Sequence, residues 1–148
     1  MAIRFPVGPG TILLCDYSLG GFREPEMVKK RPALVISPRL PYRDGLCAVV
    51  PLSGTAPPRA VAYVVRLELE TPLPEPFQQR IWWAKCDMIA TVGFARLDLF
   101  RTGRDRDGKR KYLHPLLPKS DMDRVICGIL AGLGLDRLTF PRSSTNSH

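Results

Sequence analysis

Short apolar runs bounded by proline or glycine are the feature that most limits what this chain can fold into. The run at 60–69 ends in alternating apolar and charged residues with a period of two, which is typical of a half-buried strand. The other runs are short, apolar and flanked by turn residues, as buried strands are. Together they predict five short strands, at 11–17, 33–37, 46–52, 60–69 and 81–89.

Only the segment 118–135 has helical periodicity, because its apolar side chains recur at steps of three and one. We expect Ser120 to cap the start of this helix and Gly134 to end it. Several short strands with Gly- and Pro-rich connections and one closing helix predict a mostly β (α+β) fold, a small antiparallel barrel with a C-terminal helix. We expect one domain over residues 1–140, followed by a disordered tail at 141–148.

The charge balance favours an anionic partner. The 148-residue chain has 22 Lys and Arg against 14 Asp and Glu, a net charge of +8. Nucleic acid is the commonest partner of a basic domain of this size. The N-terminus lacks the apolar core of a signal peptide, and no stretch approaches the roughly 20 apolar residues of a membrane helix. We therefore expect no membrane association.

The cysteine pattern predicts neither a metal site nor a disulfide framework. Cys15, Cys47, Cys86 and Cys127 are widely scattered, with no C-x-x-C pair and only two His to complete a zinc site. We expect all four to be small buried side chains in a reducing compartment, which predicts a cytoplasmic protein.

Motifs along the chain resemble, in the same order, those of the PemK/MazF-like toxins of type II toxin–antitoxin systems. The matching segments are PGTILLCDYSLGG, E-x-x-x-x-R-P-A-L-V-I-S-P, G-L-C-A-V-V-P-L-S, CDMIATVGFARL and the C-terminal helix. The resemblance implies a compact SH3-like barrel of the PemK/MazF/CcdB type, usually a homodimer, that cuts single-stranded RNA without a metal or other cofactor. It also implies a cognate antitoxin that blocks the site.

The resemblance implies three catalytic residues. Glu26 and Arg31 match the acid and the arginine around the start of the second strand, and Ser53 matches a hydroxyl, usually threonine, at the end of the next one. The uncertain register of the loop leaves Glu24 as an alternative to Glu26. In metal-free cleavage the neighbouring 2′-hydroxyl attacks the phosphorus, which gives a 2′,3′-cyclic phosphate and a 5′-hydroxyl.

Each of these residues suits one requirement of that reaction. Glu26 can be the base if desolvation makes its carboxylate basic enough. Arg31 does not give up its proton, so it suits a bidentate clamp on the phosphate, and Ser53 can donate to a nonbridging oxygen. The residues alone leave a structural alternative open for each. In that alternative, Lys29, Lys30 and Arg31 are a solvated run in which Arg31 pairs with Glu26. Ser53 then only satisfies the hydrogen bonds of a turn.

One departure from the family pattern keeps a second function open. Met88 and Ala90 follow Asp87 where many members have polar or basic residues. The alternative is a non-catalytic barrel that inhibits a protein target such as DNA gyrase, as a related toxin group does, or that only binds nucleic acid.

A second basic segment, RTGRDRDGKRKY at 101–112, has six Lys and Arg against two Asp, a net charge of +4. Its Asp107-Gly108 pair predicts two basic strands joined in a hairpin insert over 101–113. Such an arm could follow phosphates and stack a base, or it could be a solvated hairpin. With the cations before the second strand, the predicted RNA-binding residues are Lys29, Lys30, Arg104, Arg106, Lys109, Arg110 and Tyr112.

Three further features have weaker predicted roles. Trp82 and Trp83 are adjacent in a strand and face opposite sides, so one is expected in the core and the other at a dimer interface or against a base, and the residues favour the core or an interface over RNA. Asp87 and Arg96 are expected to form a structural ion pair. His114 could be an acid–base group, although a lone loop histidine is more often a bystander.

Overall fold

The computed structural model describes residues 2–137. In that range the strands and the α-helix, in chain order, are β1 (Ile12–Asp16), β2 (Lys30–Val35), β3 (Leu46–Ser53), β4 (Val64–Glu68), β5 (Ile81–Lys85), β6 (Ala90–Gly93), β7 (Leu97–Asp98), β8 (Phe100–Arg104), β9 (Arg110–Leu113) and α1 (Lys119–Gly132). Two 3₁₀ helices, Cys86–Met88 and Phe94–Arg96, flank β6. The tail expected at 141–148 lies outside the described residues.

One antiparallel sheet forms most of the fold. Its strand order is β4-β5-β3-β2-β1-β7, and β6 is a further strand paired with β3. This arrangement, with α1 near the C-terminus, confirms the mostly β (α+β) class. The end strands β4 and β7 do not pair with each other in the described part of the chain, so the sheet is not closed into a barrel. β8 and β9 form a separate two-stranded sheet.

Strand β2 is buried on both faces, which explains its continuous apolar run. Leu34 belongs to a core cluster that also contains side chains of β4, β5 and α1. Ala33 and Val35 belong to a second cluster, formed with side chains of β1, β3, β6 and β7. Because side chains alternate along a strand, the cations at the start of β2 leave it toward opposite faces. This alternation separates Lys30 from Arg31.

The predicted strand at 81–89 is wrong as a single element. β5 ends at Lys85, a 3₁₀ helix follows, and β6 then pairs with the first half of β3, with Val49 opposite Ala90. Helix α1 crosses this break so closely that a Cβ atom on Gly132 would lie 3.1 Å from the Cα atom of Asp87. The strand predicted at 60–69 is also shorter in the structure, where it spans Val64–Glu68.

Helix α1 starts earlier than its predicted cap. The N-cap residue is Pro118 and makes no side-chain capping bond, so Ser120 lies inside the helix and its predicted capping role is wrong. Gly134 does end the helix. It has φ +71°, its N–H donates to the Ala131 carbonyl at 3.1 Å, and the Leu135 N–H donates to the Leu130 carbonyl at 2.8 Å. These two bonds are the Schellman pattern that glycine favours.

The cysteines divide into two groups. Cys15, Cys47 and Cys86 are buried free thiols, as expected, whereas Cys127 is exposed and its predicted burial is wrong. Cys127 lies on the outer side of α1, because the buried helix positions around it are Val125, Gly128 and Ile129.

Candidate functional site

Arg31 lies in β2 two residues before Ala33, so its side chain leaves the strand on the face of the second cluster. It is half-buried, and its Nε atom is buried without a hydrogen-bond partner. No ion pair to Arg31 exists within residues 2–137, so the alternative in which it merely neutralises Glu26 does not hold. A buried donor without an acceptor costs on the order of 1–3 kcal/mol.

Ser53, the last residue of β3, lies on the same face of the sheet. The β2–β3 pairing ends at Ala33 opposite Pro51, so Arg31 and Ser53 each lie two residues beyond its last pair, on the same face. Ser53 is 3% exposed, and its Oγ atom accepts the Thr55 N–H at 3.2 Å. Its own proton has only a long contact of 3.5 Å to the Thr55 carbonyl. The turn role is therefore present, and it leaves the hydroxyl proton weakly held.

Glu26 lies in the loop between β1 and β2, beside a cavity. Its Oε2 atom accepts the Arg23 N–H at 2.8 Å, and its own N–H donates to the Arg23 carbonyl at 2.8 Å. The side chain is exposed, so the desolvation required of a base is absent in this structure. Both Glu24 and Glu26 are exposed, but only Glu26 lines the cavity. The structure thus favours Glu26 over Glu24 as the acid that faces this side.

The cavity beside Glu26 has a largely apolar floor that includes both departures from the family pattern. Its volume is about 370 Å³, and its lining residues are Tyr17, Phe22, Pro25, Glu26, Met27, Asp87, Met88, Ile89 and Ala90. Where family members have polar or basic side chains, this chain has a thioether and a methyl group. The cavity therefore favours a flat apolar group over a phosphate.

Arg96 holds the β1–β2 loop instead of pairing with Asp87. Its guanidinium donates to the carbonyls of Asp16 at 3.2 Å, Leu19 at 2.6 Å and Gly20 at 2.6 Å. It also lies over the Phe22 ring, with Cζ 4.6 Å from the ring centroid. The predicted Asp87–Arg96 ion pair is therefore wrong, and Arg96 instead positions the loop that carries Glu26.

The three cations before the β2 apolar run do not act as one patch. Lys29 and Lys30 are exposed, and Lys30 lies opposite Asp16 in β1. Hydrogen bonds from Ser18 and, to a lesser degree, the charge of Lys30 lower the pKa of the Asp16 carboxyl. Lys30 also lines a cavity of about 550 Å³ with Arg101, at the base of the basic hairpin. The structure thus groups Lys30 with the hairpin and not with Arg31.

The basic segment forms a hairpin rooted in the core. Phe100 at the start of β8 is buried and packs edge-on against Phe77, with ring centroids 6.2 Å apart. At the tip, the Asp105 carboxylate accepts the N–H groups of Asp107 and Lys109, both at 2.9 Å. Exposed side chains on the arm include the five predicted to bind RNA: Arg104, Arg106, Lys109, Arg110 and Tyr112. Of these, Arg104 donates to the Gly108 carbonyl at 3.1 Å, which leaves most of its guanidinium free.

The neighbouring ionisable groups do not neutralise Arg31. Cys15 is its direct partner in β1, and burial raises the pKa of that thiol to about 11. Burial also raises the pKa of the Tyr17 phenol well above its usual range. Both groups are therefore protonated and uncharged near neutral pH.

A second cavity, which no sequence pattern indicates, lies beyond Ser53 on the loop between β3 and β4. Its volume is about 460 Å³, and its lining residues are Thr55, Ala56, Pro57, Pro58, Arg59, Val61, Tyr63, Val64, Lys85, Asp87 and Met88. Asp87 and Met88 line both this cavity and the one beside Glu26. The Pro57-Pro58 pair signals an ordered loop, but the sequence does not show that the loop folds over Lys85.

The remaining candidates are placed as follows. Trp82 is in the core, and its Nε1–H donates to the Gln79 carbonyl at 3.0 Å, whereas Trp83 is half-buried on the opposite face. His114 is exposed and lines neither cavity beside Met88.

Over residues 2–137, no group of three or more His, Cys, Asp or Glu could hold a metal ion. In the same range, no helix has the length and apolarity needed to cross a membrane.

An open antiparallel sheet and a C-terminal helix, with an arginine that has no acidic partner in the described chain on the same face as a buried serine, define a small α+β protein. A family model described as the PemK-like, MazF-like toxin of type II toxin–antitoxin systems matches residues 9–127. The chain therefore belongs to this family of toxins.

Individual relatives are more distant. YifN, an uncharacterized protein of Escherichia coli (strain K12), is 28% identical over 155 aligned residues, which cover 91% of this chain and 99% of YifN. The fold is similar to an endoribonuclease in complex with its cognate antitoxin from a mycobacterial species, with a TM-score of 0.57, 20% identity and coverage of 92% and 100% of the two chains. It is also similar to MazF from Deinococcus radiodurans, with a TM-score of 0.58, 17% identity and coverage of 88% and 98%. At these identities the structural likeness establishes the fold.

Proposed function

We propose that this toxin is a metal-independent endoribonuclease that cleaves single-stranded RNA. The observation that carries the proposal is the Arg31 guanidinium, which is half-buried, has no acidic partner in the described residues and lies on the same face of the sheet as Ser53. An arginine held this way suits one oxygen-rich anion, because its fork can donate two parallel bonds to a phosphate. Family membership makes RNA the first candidate for the source of that phosphate.

In the proposed reaction, the 2′-oxygen of one nucleotide attacks the adjacent phosphorus. Bound RNA covers the exposed Glu26 carboxylate and supplies the desolvation that the free protein lacks, so that Glu26 accepts the proton of the 2′-hydroxyl. The bond from phosphorus to the 5′-oxygen breaks, and the departing oxygen takes a proton from water. The products are a 2′,3′-cyclic phosphate and a 5′-hydroxyl. Arg31 stabilises the charge that develops on the phosphorane, and Ser53 donates its weakly held proton to a nonbridging oxygen.

The basic hairpin is proposed to bind the RNA backbone away from the cleaved bond. Arg104, Arg106, Lys109 and Arg110 are exposed and lie on an arm whose base shares a cavity with Lys30. Lys30 extends this positive surface, Lys29 is the exposed cation before it in the chain, and Tyr112 is 37% exposed and available to a base. Contacts of this kind raise affinity for any sequence and weaken as salt is added.

Its partners follow from the same proposal. A fold neighbour whose structure contains its cognate antitoxin supports an antitoxin for this chain. The net charge of +8 favours an acidic segment in that antitoxin. We further propose that the toxin acts as a homodimer in the cytoplasm, since free buried thiols fit a reducing compartment.

The test is cleavage of a long single-stranded RNA by the purified protein in EDTA, with the new ends identified by mass spectrometry. We expect 2′,3′-cyclic phosphate ends and a loss of about 10²–10³ in kcat for Arg31→Ala. Arg31→Lys should recover only part of this loss, because an ammonium cannot form the bidentate fork. Arg39→Ala is the matched control, since it removes one cation from an exposed loop.

Two outcomes would contradict the proposal: RNA that stays intact across many sequences, and cleavage by Arg31→Ala at the wild-type rate. The apolar floor of the Glu26 cavity, with Met88 and Ala90, favours a non-catalytic binder of a protein such as DNA gyrase as the second candidate. Capture of that target at equal stoichiometry by a protein without nuclease activity would support it. Salt-dependent RNA binding without cleavage would instead identify a toxin that only binds nucleic acid.

A further inference from the structure

Trp83 lies in one cross-strand row with Ser53, one of the three candidate catalytic residues. It is the direct partner of Ser53 in β3 and of Arg66 in β4. Residues opposite each other in an antiparallel ladder project to the same face, with Cβ atoms about 4.5–5.5 Å apart. The row therefore runs Ser53, Trp83, Arg66 across three neighbouring strands. Arg31 lies on the same face in the next strand, two residues beyond the last β2–β3 pair.

The Trp83 indole has no polar or aromatic partner in the described chain. Its neighbour Trp82 is 2% exposed, packs near Phe77 and donates its Nε1–H to the Gln79 carbonyl. Trp83 is half-buried, and within residues 2–137 it makes neither a hydrogen bond nor a ring contact. A large aromatic side chain held between strands, with part of its surface open, is suited to receive a flat ligand.

The charges around the indole favour a nucleic acid as that ligand. Arg66 is exposed, and its ion pair with Glu68 is long, at 3.9 Å between Nη1 and Oε2. Such a surface pair contributes little and leaves the guanidinium available. Lys85 lies two residues along β5 on the same face. Cations on both sides of an aromatic surface match alternating phosphates and bases in a single strand.

We propose that Trp83 is a stacking platform for one base of the RNA, next to the phosphate that Arg31 and Ser53 hold. This inference rests on the proposed nuclease function. Stacking is tolerant of sequence because every base has a π-face, so Trp83 sets affinity and position more than base identity. Trp83 is a binding and positioning residue, and its loss should raise KM more than it lowers kcat.

The experiment measures binding without cleavage. Short single-stranded RNAs carry 2′-deoxy nucleotides, which remove the attacking hydroxyl, and in each one a single base is replaced by an abasic site. Trp83→Ala should weaken binding of the unmodified oligonucleotide about five- to hundredfold, and Trp83→Phe should retain most of the affinity. At one abasic position, wild type and Trp83→Ala should bind equally. Tyr42→Ala, which removes an exposed aromatic ring from another loop, is the matched control.

The outcomes separate this inference from the nuclease proposal. Equal weakening by Trp83→Ala at every abasic position would overturn the stacking role, even if wild type cleaves RNA and Arg31→Ala does not. A position-specific loss would support stacking even if no RNA is cut. A change in oligomeric mass on Trp83→Ala, with unchanged RNA binding, would assign the indole to an interface between two copies and overturn the inference.

Discussion

Helix α1 packs against the 3₁₀ turn at Cys86–Met88, and this packing decides whether Gly128→Ala raises or lowers the free energy of unfolding. Gly128 lies in the interior of α1, where replacing glycine with alanine normally stabilises a helix by about 1 kcal/mol. Here a Cβ atom at position 128 would lie 2.9 Å from the Cys86 Sγ atom and 2.9 Å from the Val65 Cγ2 atom. Both neighbours are short, buried side chains without a flexible end that could move aside.

Overpacking should therefore exceed the gain in helix propensity. Extra methyl groups in a packed core cost about 1–3 kcal/mol. Subtracting the propensity gain, we expect Gly128→Ala to lower the free energy of unfolding by about 1 kcal/mol, which corresponds to roughly 3 °C in Tm for a chain of this size. The perturbation also bears on function, because the turn under Gly128 carries Asp87 and Met88, which line two cavities.

Urea denaturation followed by circular dichroism measures this change. Ser120→Ala, an exposed change in the same helix, is the control and should stay within about 0.5 kcal/mol. Cys86→Ala removes one of the two close atoms, so Gly128→Ala should cost less in that background. If Gly128→Ala is as stable as wild type or more stable, α1 does not approach the turn this closely.

Three further predictions concern the thiols and the hairpin. Iodoacetamide at about pH 8.5 should label Cys127 in the native protein and the other cysteines only in denaturant, because burial raises the pKa of Cys15 and Cys47 to about 11 and that of Cys86 to about 12. Native labelling of Cys86 would contradict the labelling prediction. Because unfolded thiols ionise above about pH 9 and the buried thiols do not, the free energy of unfolding should also fall as the pH rises above about 9. A constant free energy of unfolding from about pH 9 to pH 10 would contradict this pH dependence. Replacing the hairpin cations with glutamine should reduce the slope of log K against log salt for RNA binding. The expected reduction is about 0.7 for each phosphate that the variant no longer binds. An unchanged slope would exclude a role of these cations in phosphate binding. The four positions are Arg104, Arg106, Lys109 and Arg110.

Local patterns were enough to predict much of the fold. Apolar runs between Pro and Gly located the first three strands, because burial and turn chemistry act over a few residues. Asp107-Gly108 lies at the turn of the β8–β9 hairpin, and Gly134 ends α1 with a positive φ angle. The strand predicted at 81–89 was wrong because its break depends on a helix that lies more than thirty residues further along the chain.

The sequence by itself determined that the chain is basic and which residue types are available for the site. These are an arginine at the start of a buried strand, a serine at the end of the next strand and two adjacent tryptophans. Only the tertiary structure decided that Lys30 shares a cavity with Arg101, that Arg96 holds the β1–β2 loop, and that Arg31 has no acidic partner in the described chain. The physical reason is that hydrophobic periodicity is a local property, whereas the pairing of a charge depends on which strands become neighbours.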